Sequence, residues 1–238
     1  MRDWRRIRRL FSAVCLITGP ALFFVGILLR PSGSDDTGGE LLAYVRSNGA
    51  VVQAHDLLLV AAILLLVPGF VGAVHVLRTR APLLGYLGGG LAIVGFVSLL
   101  GVIALDGVAL EMVGRGTSQA DMAAVLDRAM SQDPIVITMT MLFVAGHIVG
   151  ATLLGIGLYR ARIVPVWAAA AVAVSQPAHF VAHGIENKPL DVFAFALFAA
   201  GLATLGVRVL RMQDAEWDAE PAEVLTSTSV PRTREAMS

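Results

Sequence analysis

The chain has 238 residues, of which 56% are hydrophobic and 15% are charged, and its 18 basic residues balance its 18 acidic residues. Soluble domains usually have about 45–50% apolar and about 25% charged residues, so this composition indicates a membrane protein. Because arginines occur in short clusters and form no continuous basic face, the chain is not expected to bind nucleic acid. The single cysteine, Cys15, excludes an intramolecular disulfide.

Six apolar stretches are each about as long as the roughly 20 residues that cross a bilayer. They are Leu10 to Leu29, Val52 to Val76, Leu83 to Leu105, Ile135 to Leu158, Ile163 to Ala182 and Leu190 to Leu210. We therefore predict an all-α fold, a bundle of six transmembrane helices. The first stretch is longer than the roughly 7 to 15 residues of a signal-peptide core, so we interpret it as a retained span.

Basic and acidic residues alternate between successive connections. Arginines precede the first stretch and follow the second, fourth and sixth, at Arg2 to Arg9, Arg78 and Arg80, Arg160 and Arg162, and Arg208 and Arg211. The other connections are acidic, at Asp35, Asp36, Glu40, Asp121, Asp127, Asp133 and Glu186. The positive-inside rule then predicts a multi-pass protein of the cytoplasmic (inner) membrane with both termini in the cytoplasm. The basic residues that depart from this pattern are Arg30, Arg46, Arg115, Arg128 and Lys188.

Two of the outer connections have helical patterns. The segment from Gly39 to Asn48 carries an apolar stripe, and Thr117 or Ser118 can cap a second helix that runs to about Met130. We predict short amphipathic helices on the outer face. They either cover the ends of the spans or form a lid over a site.

The end of the chain differs from the rest in composition. After Arg211 it becomes acidic and then rich in Ser, Thr and Pro. We therefore predict two parts, a six-helix transmembrane domain of residues 1–212 and a disordered cytoplasmic tail of residues 213–238.

Glycines are concentrated in the third and fourth stretches, where they allow helices to approach closely when lipid removes the hydrophobic drive for association. They are Gly85, Gly88, Gly89 and Gly90, and then Gly146 and Gly150. These stretches are expected to pack backbone against backbone.

Ionisable side chains within spans are costly and usually face the interior of the bundle, so they are the default functional candidates. In this chain they are His55, Asp56, Asp106, His147, His179 and His183. Counted from the outer boundary at about 1.5 Å per residue, all except His147 lie within about two turns of the outer surface. His147 lies about 8–12 Å deeper and is not expected to share their immediate surroundings. His147, Thr140 on the same face, and Gln176 are predicted to line a pocket.

Three imidazoles and two carboxylates near one surface are ligand types that zinc prefers. His179 and His183 are four residues apart and share a helix face. The pattern predicts a zinc site of His55, His179 and His183, where Asp106 or Asp56 orients or deprotonates a metal-bound water. The alternative is a set of side chains that hydrogen-bond with each other and with water. Haem b between His55 and His179 is less favoured, because His147 has no histidine opposite it for a second site.

The His/Asp layer with its His-x-x-x-His helix resembles the zinc site of membrane hydrolases of the alkaline-ceramidase and progestin-receptor type. The resemblance covers His179, His183, Asp106 and His55, and implies hydrolysis of a lipid-like amide or ester. That family has seven spans and a serine one turn before its second-span histidine, where this chain has Val51. The overall layout resembles bacterial six-helix integral membrane proteins without an assigned activity, which implies no reaction.

Three classes of function are compatible with these residues. One is a zinc-dependent hydrolase. Another is a carrier or binding protein in which Asp56, Asp106 and His147 line a path for a small amphiphile or a proton. The last is a structural subunit that forms homo-oligomers or binds a partner membrane protein through its glycine-rich faces and acidic tail.

Overall fold

The computed structural model describes residues 2–30, 37–114 and 118–218, and this part of the chain consists of helices and short connections without β-strands. The helices are α1 (Arg2–Leu29), α2 (Gly38–Leu77), α3 (Pro82–Gly114), α4 (Gln119–Gln132), α5 (Pro134–Ala161), α6 (Val166–Gly184), α7 (Lys188–Arg211) and α8 (Asp214–Asp218). The predicted roles of Asp35, Asp36, Arg115 and Thr117 fall outside the described residues.

Six of the helices form a closed ring in the order α1, α2, α3, α5, α6 and α7, with α7 packed back against α1. Phenylalanines fill the centre of this ring. Phe96 of α3 lies 5.4 Å from Phe23 and 5.7 Å from Phe198 between ring centroids, and Phe195 stacks on Phe23 at 5.1 Å. Such aromatic packing closes the middle of the bundle and leaves one end of the ring for a cavity.

Five helices are long and apolar enough to cross a membrane, so the all-α fold is confirmed and a multi-pass membrane protein is indicated. They are α1 from Trp4, α2, α3, α5 and α7. The fifth predicted stretch forms α6, which has 19 residues and is not one of these five. Ser175, Gln176, His179 and His183 lower its hydropathy, so six spans remain a prediction.

The predicted outer helices pack against each other. The segment from Gly39 to Asn48 is not a separate helix but the start of α2, which bends at the non-helical Asn48. The second segment forms α4, and the Ser118 hydroxyl accepts a hydrogen bond from the Asp121 amide. A small second core joins α2, α3 and α4 through Leu41, Leu42, Val45, Val52, Ala109, Met122 and Leu126.

The start of α1 and the end of α7 are held together by Arg9. Its guanidinium donates to the carbonyls of Val209 and Leu210, at 3.0 and 2.8 Å, and pairs with Asp214 at 3.0 Å. Trp217 of α8 is buried beside His75, with ring centroids 4.3 Å apart. Residues 214–218 therefore form a docked helix, which differs from the predicted disordered tail. The remainder of that tail, residues 219–238, lies outside the described residues.

Helices α3 and α5 cross through glycines, as the sequence predicted for Gly88 and Gly146. A Cβ atom at Gly88 would lie 2.6 Å from the Leu154 amide nitrogen, and one at Gly146 would lie 2.7 Å from the Gly95 Cα. Gly90 does not contribute to this contact, because a Cβ atom there would meet nothing within 4 Å.

We expect Gly88→Ala to destabilise the protein by about 1–3 kcal/mol, since the methyl group must push two backbones apart. Gly90→Ala is the matched control on the same helix and is expected to be neutral or stabilising by about 0.5–1 kcal/mol. Thermal unfolding of the purified variants in detergent measures both. Equal unfolding temperatures for the two variants would contradict the close crossing.

Candidate functional site

A cavity of about 360 Å³ lies at the end of the ring where α1 ends and α7 begins. Its size falls within the roughly 300–1,000 Å³ of ligand pockets. Its apolar wall includes Phe23, Leu59, Leu99 and Phe195, and Leu41 and Met130 come from the α2 start and α4. Its polar lining consists of Arg30, His55, Asp106, Thr140, His147, His179, His183, Lys188 and Asp191. The cavity is thus an apolar space with polar groups in its wall.

The carboxyl end of α1 provides backbone acceptors beside the cavity. The last four carbonyls of a helix lack partners within it. The Gly26 carbonyl accepts from His55 Nδ1 at 2.9 Å, and the Ile27 carbonyl accepts from Lys188 Nζ at 2.6 Å. The Leu29 carbonyl accepts from the Tyr44 hydroxyl at 3.4 Å. Because a carbonyl only accepts, His55 carries its proton on Nδ1 in this bond.

Asp106 is buried and forms an ion pair with Arg30, the residue that follows α1. The second guanidinium nitrogen lies 3.4 Å from the other carboxylate oxygen. Asp56 is half-buried next to Asp106 and does not line the cavity. One of its oxygens is buried without a hydrogen-bond partner among the described residues. The two predicted catalytic acids therefore lie next to each other, and Asp106 is paired with Arg30.

Asp191, at the start of α7, connects two other polar side chains. Its carboxylate accepts from His179 Nδ1 at 2.6 Å, and Lys188 Nζ lies 3.6 Å from its second oxygen. Asp191 is 7% exposed. A carboxylate bonded to Nδ1 fixes the ring orientation of His179 and leaves Nε2 for the cavity side of the site.

His147 lies next to His179, with ring centroids 5.7 Å apart, and lines the same cavity. The prediction that His147 lies about 8–12 Å deeper than His179 and outside its immediate surroundings is therefore wrong. His147 is 14 residues from the end of α5 at Ala161, and His179 is 13 residues from the start of α6 at Val166. Both rings are thus about 20 Å from the turn that joins the two helices. Depths counted in residues from the outer ends of the helices were wrong because the two helices differ in length, with 28 residues in α5 and 19 in α6.

The ring of His147 is fixed by its own helix. Nδ1 donates to the Phe143 carbonyl, and the Phe143 ring stacks on the imidazole at 4.3 Å between centroids. His147 is 2% exposed, and its Nε2 atom is buried without a partner among the described residues. Since Nδ1 holds the proton, Nε2 of the neutral ring is an acceptor.

The remaining predicted residues differ in position. His183 lines the cavity and is exposed, 6.2 Å from His179 between ring centroids. Thr140 also lines the cavity, and its hydroxyl donates to the Val136 carbonyl at 2.9 Å. Gln176 is fully buried and does not line it, and neither atom of its amide has a partner among the described residues.

The predicted zinc ligands do not assemble. Within residues 2–30, 37–114 and 118–218, no three His, Cys, Asp or Glu side chains lie close enough together to hold one ion. His55, His179 and His183 all line the cavity, but His55 bonds to α1 while His179 bonds to Asp191. Metal binding therefore stays a prediction, and the described geometry does not fit it.

Three residues of the site were not predicted from the sequence, namely Arg30, Lys188 and Asp191. Arg30 and Lys188 are basic residues in outer connections that are otherwise acidic. A basic residue in such a position is a signal for an acidic partner in the neighbouring helices. Asp191 lies three residues after Lys188, a spacing that brings side chains together on a helix.

Comparisons with protein-family models, curated proteins and solved structures produce no match for this chain, so its site is interpreted from its own geometry.

We expect Arg30→Met to destabilise the protein by about 3–5 kcal/mol, because it leaves the Asp106 carboxylate buried without its counter-charge. Arg208→Met is the control, since the Arg208–Glu216 pair is over 40% exposed on both sides and should contribute about 0–1 kcal/mol. Unfolding temperatures of the variants in detergent provide the measurement.

The double variant Arg30→Met with Asp106→Leu should recover most of that loss, because replacing both partners of a buried pair by apolar groups is often neutral. Failure of the double variant to recover would show that Arg30 acts through groups other than Asp106.

Proposed function

We propose that this chain is a six-span protein of the cytoplasmic membrane that binds a small amphiphilic molecule in the cavity between α1, α2, α3, α5, α6 and α7. Its termini are cytoplasmic by the positive-inside rule, which places the cavity in the outer half of the bilayer. The proposed activity is binding, as in a carrier or a lipid-binding module, and it requires no metal ion.

The cavity itself carries this proposal. Ligand sites in proteins are mostly apolar concave spaces with a few polar groups that orient the ligand. Here fourteen of the lining residues are apolar, whereas the charged ones come from the end of α1, the outer part of α3 and the start of α7. An apolar chain against Phe23, Leu59 and Leu99 and a polar headgroup near His147 and His179 would satisfy both parts.

The geometry of α5 and α6 supports entry of the ligand from the lipid, at the part of this helix pair that lies beyond their close contact. A Cβ atom at Gly155 would lie 2.5 Å from the Ala173 amide nitrogen, and the Thr152 hydroxyl donates to the Ala173 carbonyl at 3.1 Å. Beyond this close contact, Thr140 and Phe180 line the cavity from the two helices. Phe180 is 53% exposed, so one side chain borders both the cavity and the outer surface of the bundle. A lateral opening at this position suits a ligand dissolved in the bilayer.

We expect Val144→Trp to reduce amphiphile binding about tenfold, the effect of about 1.4 kcal/mol, because the indole would occupy the cavity. Val144 lines the cavity, whereas Val149 of the same helix does not and is 45% exposed. Val149→Trp is therefore the control. The probe is a diazirine-labelled long-chain alcohol cross-linked to the purified protein in lipid vesicles.

Cross-links are located by peptide mass spectrometry. Labelling of residues 136–147 and 179–195 that only Val144→Trp suppresses supports the proposal. Labelling confined to the outer surface of the bundle, and unchanged by Val144→Trp, would refute it.

A further inference from the structure

We propose that the headgroup of the bound amphiphile is uncharged and donates a hydrogen bond, from a hydroxyl or an amide N–H, to Nε2 of His147, with Nε2 of His179 as a second acceptor. This inference rests on the proposed binding function and specifies the class of ligand.

The charged residues of the cavity wall are already paired with one another. Two are cationic and two are anionic, and they form the pairs Arg30 with Asp106 and Lys188 with Asp191. An anionic headgroup would have to compete with Asp106 or Asp191 for its base, and a cationic one would have to compete with Arg30 or Lys188. At the Arg30–Asp106 pair either exchange leaves a buried charge without its counter-charge, which is costly. The balance of charge therefore favours an uncharged headgroup.

Among the described residues that line the cavity, His147 has a buried side-chain atom without a hydrogen-bond partner, its Nε2. The Phe143 carbonyl can only accept, so the proton of the neutral ring is on Nδ1 and Nε2 presents a lone pair. The His147 side chain is buried, since the residue is only 2% exposed, and no described donor forms a hydrogen bond with Nε2. Buried acceptors are normally satisfied, so an unpartnered acceptor on a cavity-lining residue favours a donor supplied by the ligand.

The orientation of the His147 imidazole ring is restricted by its neighbours. Phe143 stacks on it at 4.3 Å and Phe96 meets it edge-on at 6.2 Å, so the imidazole has aromatic neighbours and its orientation is set by packing. No acid is hydrogen-bonded to His147 among the described residues, which disfavours a charged imidazolium in this apolar environment.

His179 supplies the second acceptor. Its Nδ1 atom donates to Asp191, and Nε2 accepts when the ring is neutral. The two rings are 5.7 Å apart between centroids. A headgroup with two neighbouring donors, such as a glycol or a primary amide, can bond to both nitrogens.

The test is competition against the diazirine alcohol on the full chain in vesicles. The competitors share one alkyl chain and end in a hydroxyl, a methyl ether, a carboxylate or a primary amine. We expect the alcohol to compete about tenfold better than the ether and better than either charged compound, as one hydrogen bond near 1.4 kcal/mol implies. In His147→Phe the alcohol and the ether should compete equally, while His147→Gln, which retains an acceptor, should keep part of the preference.

His75→Phe is the control, because His75 lies against Trp217 at the opposite end of the bundle, and it should leave the preference unchanged. Unfolding temperatures identify variants that do not fold. If His147→Phe fails to fold, the alcohol-to-ether ratio of the wild-type protein decides the question alone.

Equal competition by alcohol and ether, or a preference for the carboxylate or the amine, overturns the inference but leaves amphiphile binding intact. No competition by any of the four compounds overturns the binding function itself. Elemental analysis of the purified protein adds a further check. About one equivalent of zinc, lost in both His147→Phe and His179→Phe, would assign these nitrogens to a metal ion and overturn the inference.

Discussion

The carboxyl end of α1 is the point on which the site depends, because its unpaired carbonyls must find donors within an apolar bundle. Water is scarce there, and a buried carbonyl without a partner is costly. The donors come from His55 of α2 and Lys188 of α7, which bond to Gly26 and Ile27. The same two side chains line the cavity. The polar part of the site is therefore built from the groups that complete a helix end.

The antiparallel packing of α1 and α7 provides hydrogen-bond donors for the terminal carbonyls of both helices. Lys188 at the start of α7 bonds to a carbonyl at the end of α1, and Arg9 near the start of α1 bonds to the carbonyls of Val209 and Leu210 at the end of α7. Two antiparallel neighbours thus cap each other with long basic side chains. Each base also has an acid beside it, Asp191 for Lys188 and Asp214 for Arg9. This arrangement fixes the register of the two helices and, with it, the height of Asp191 and His179.

Much of the fold could be predicted because long apolar stretches indicate where membrane-length helices lie. Each of the six apolar stretches occurs in a separate helix, and Gly88, Gly146 and Gly150 lie where α3 and α5 approach closely. Most of the ionisable residues selected from the sequence line one cavity, and their functional role stays a prediction. The relative heights of the helices were less accessible, because hydropathy does not report how far a helix extends beyond its neighbour. The short turn between α5 and α6 would have placed His147 and His179 correctly, since both helices are measured from it.

The partners of the ionisable residues were harder to predict than the residues themselves. Arg30, Lys188 and Asp191 lie at helix ends, where a charged side chain is unremarkable in sequence and is interpreted as facing water. Their pairing becomes evident only when the ring order brings the end of α1 beside α3 and α7. The predicted zinc site was affected by the same lack of information about hydrogen-bond partners. A histidine whose second ring nitrogen bonds to a carbonyl or a carboxylate has the same sequence pattern as a metal ligand, and only the three-dimensional separation of the donors distinguishes them.

The shortness of α6 explains why the cavity lies where it does. α5 has 28 residues and α6 has 19, and they share one turn, so α5 extends about 14 Å beyond α6. Val136 and Thr140 of this extension line the cavity, together with Leu41 of α2 and Met130 of α4. Lengthening α6 with apolar residues would place them beside Val136 and Thr140 and would close this part of the cavity. His147 and His179 lie nearer the shared turn, about 20 Å from it, so the cavity joins the apolar wall beyond the end of α6 to the two imidazoles within its length.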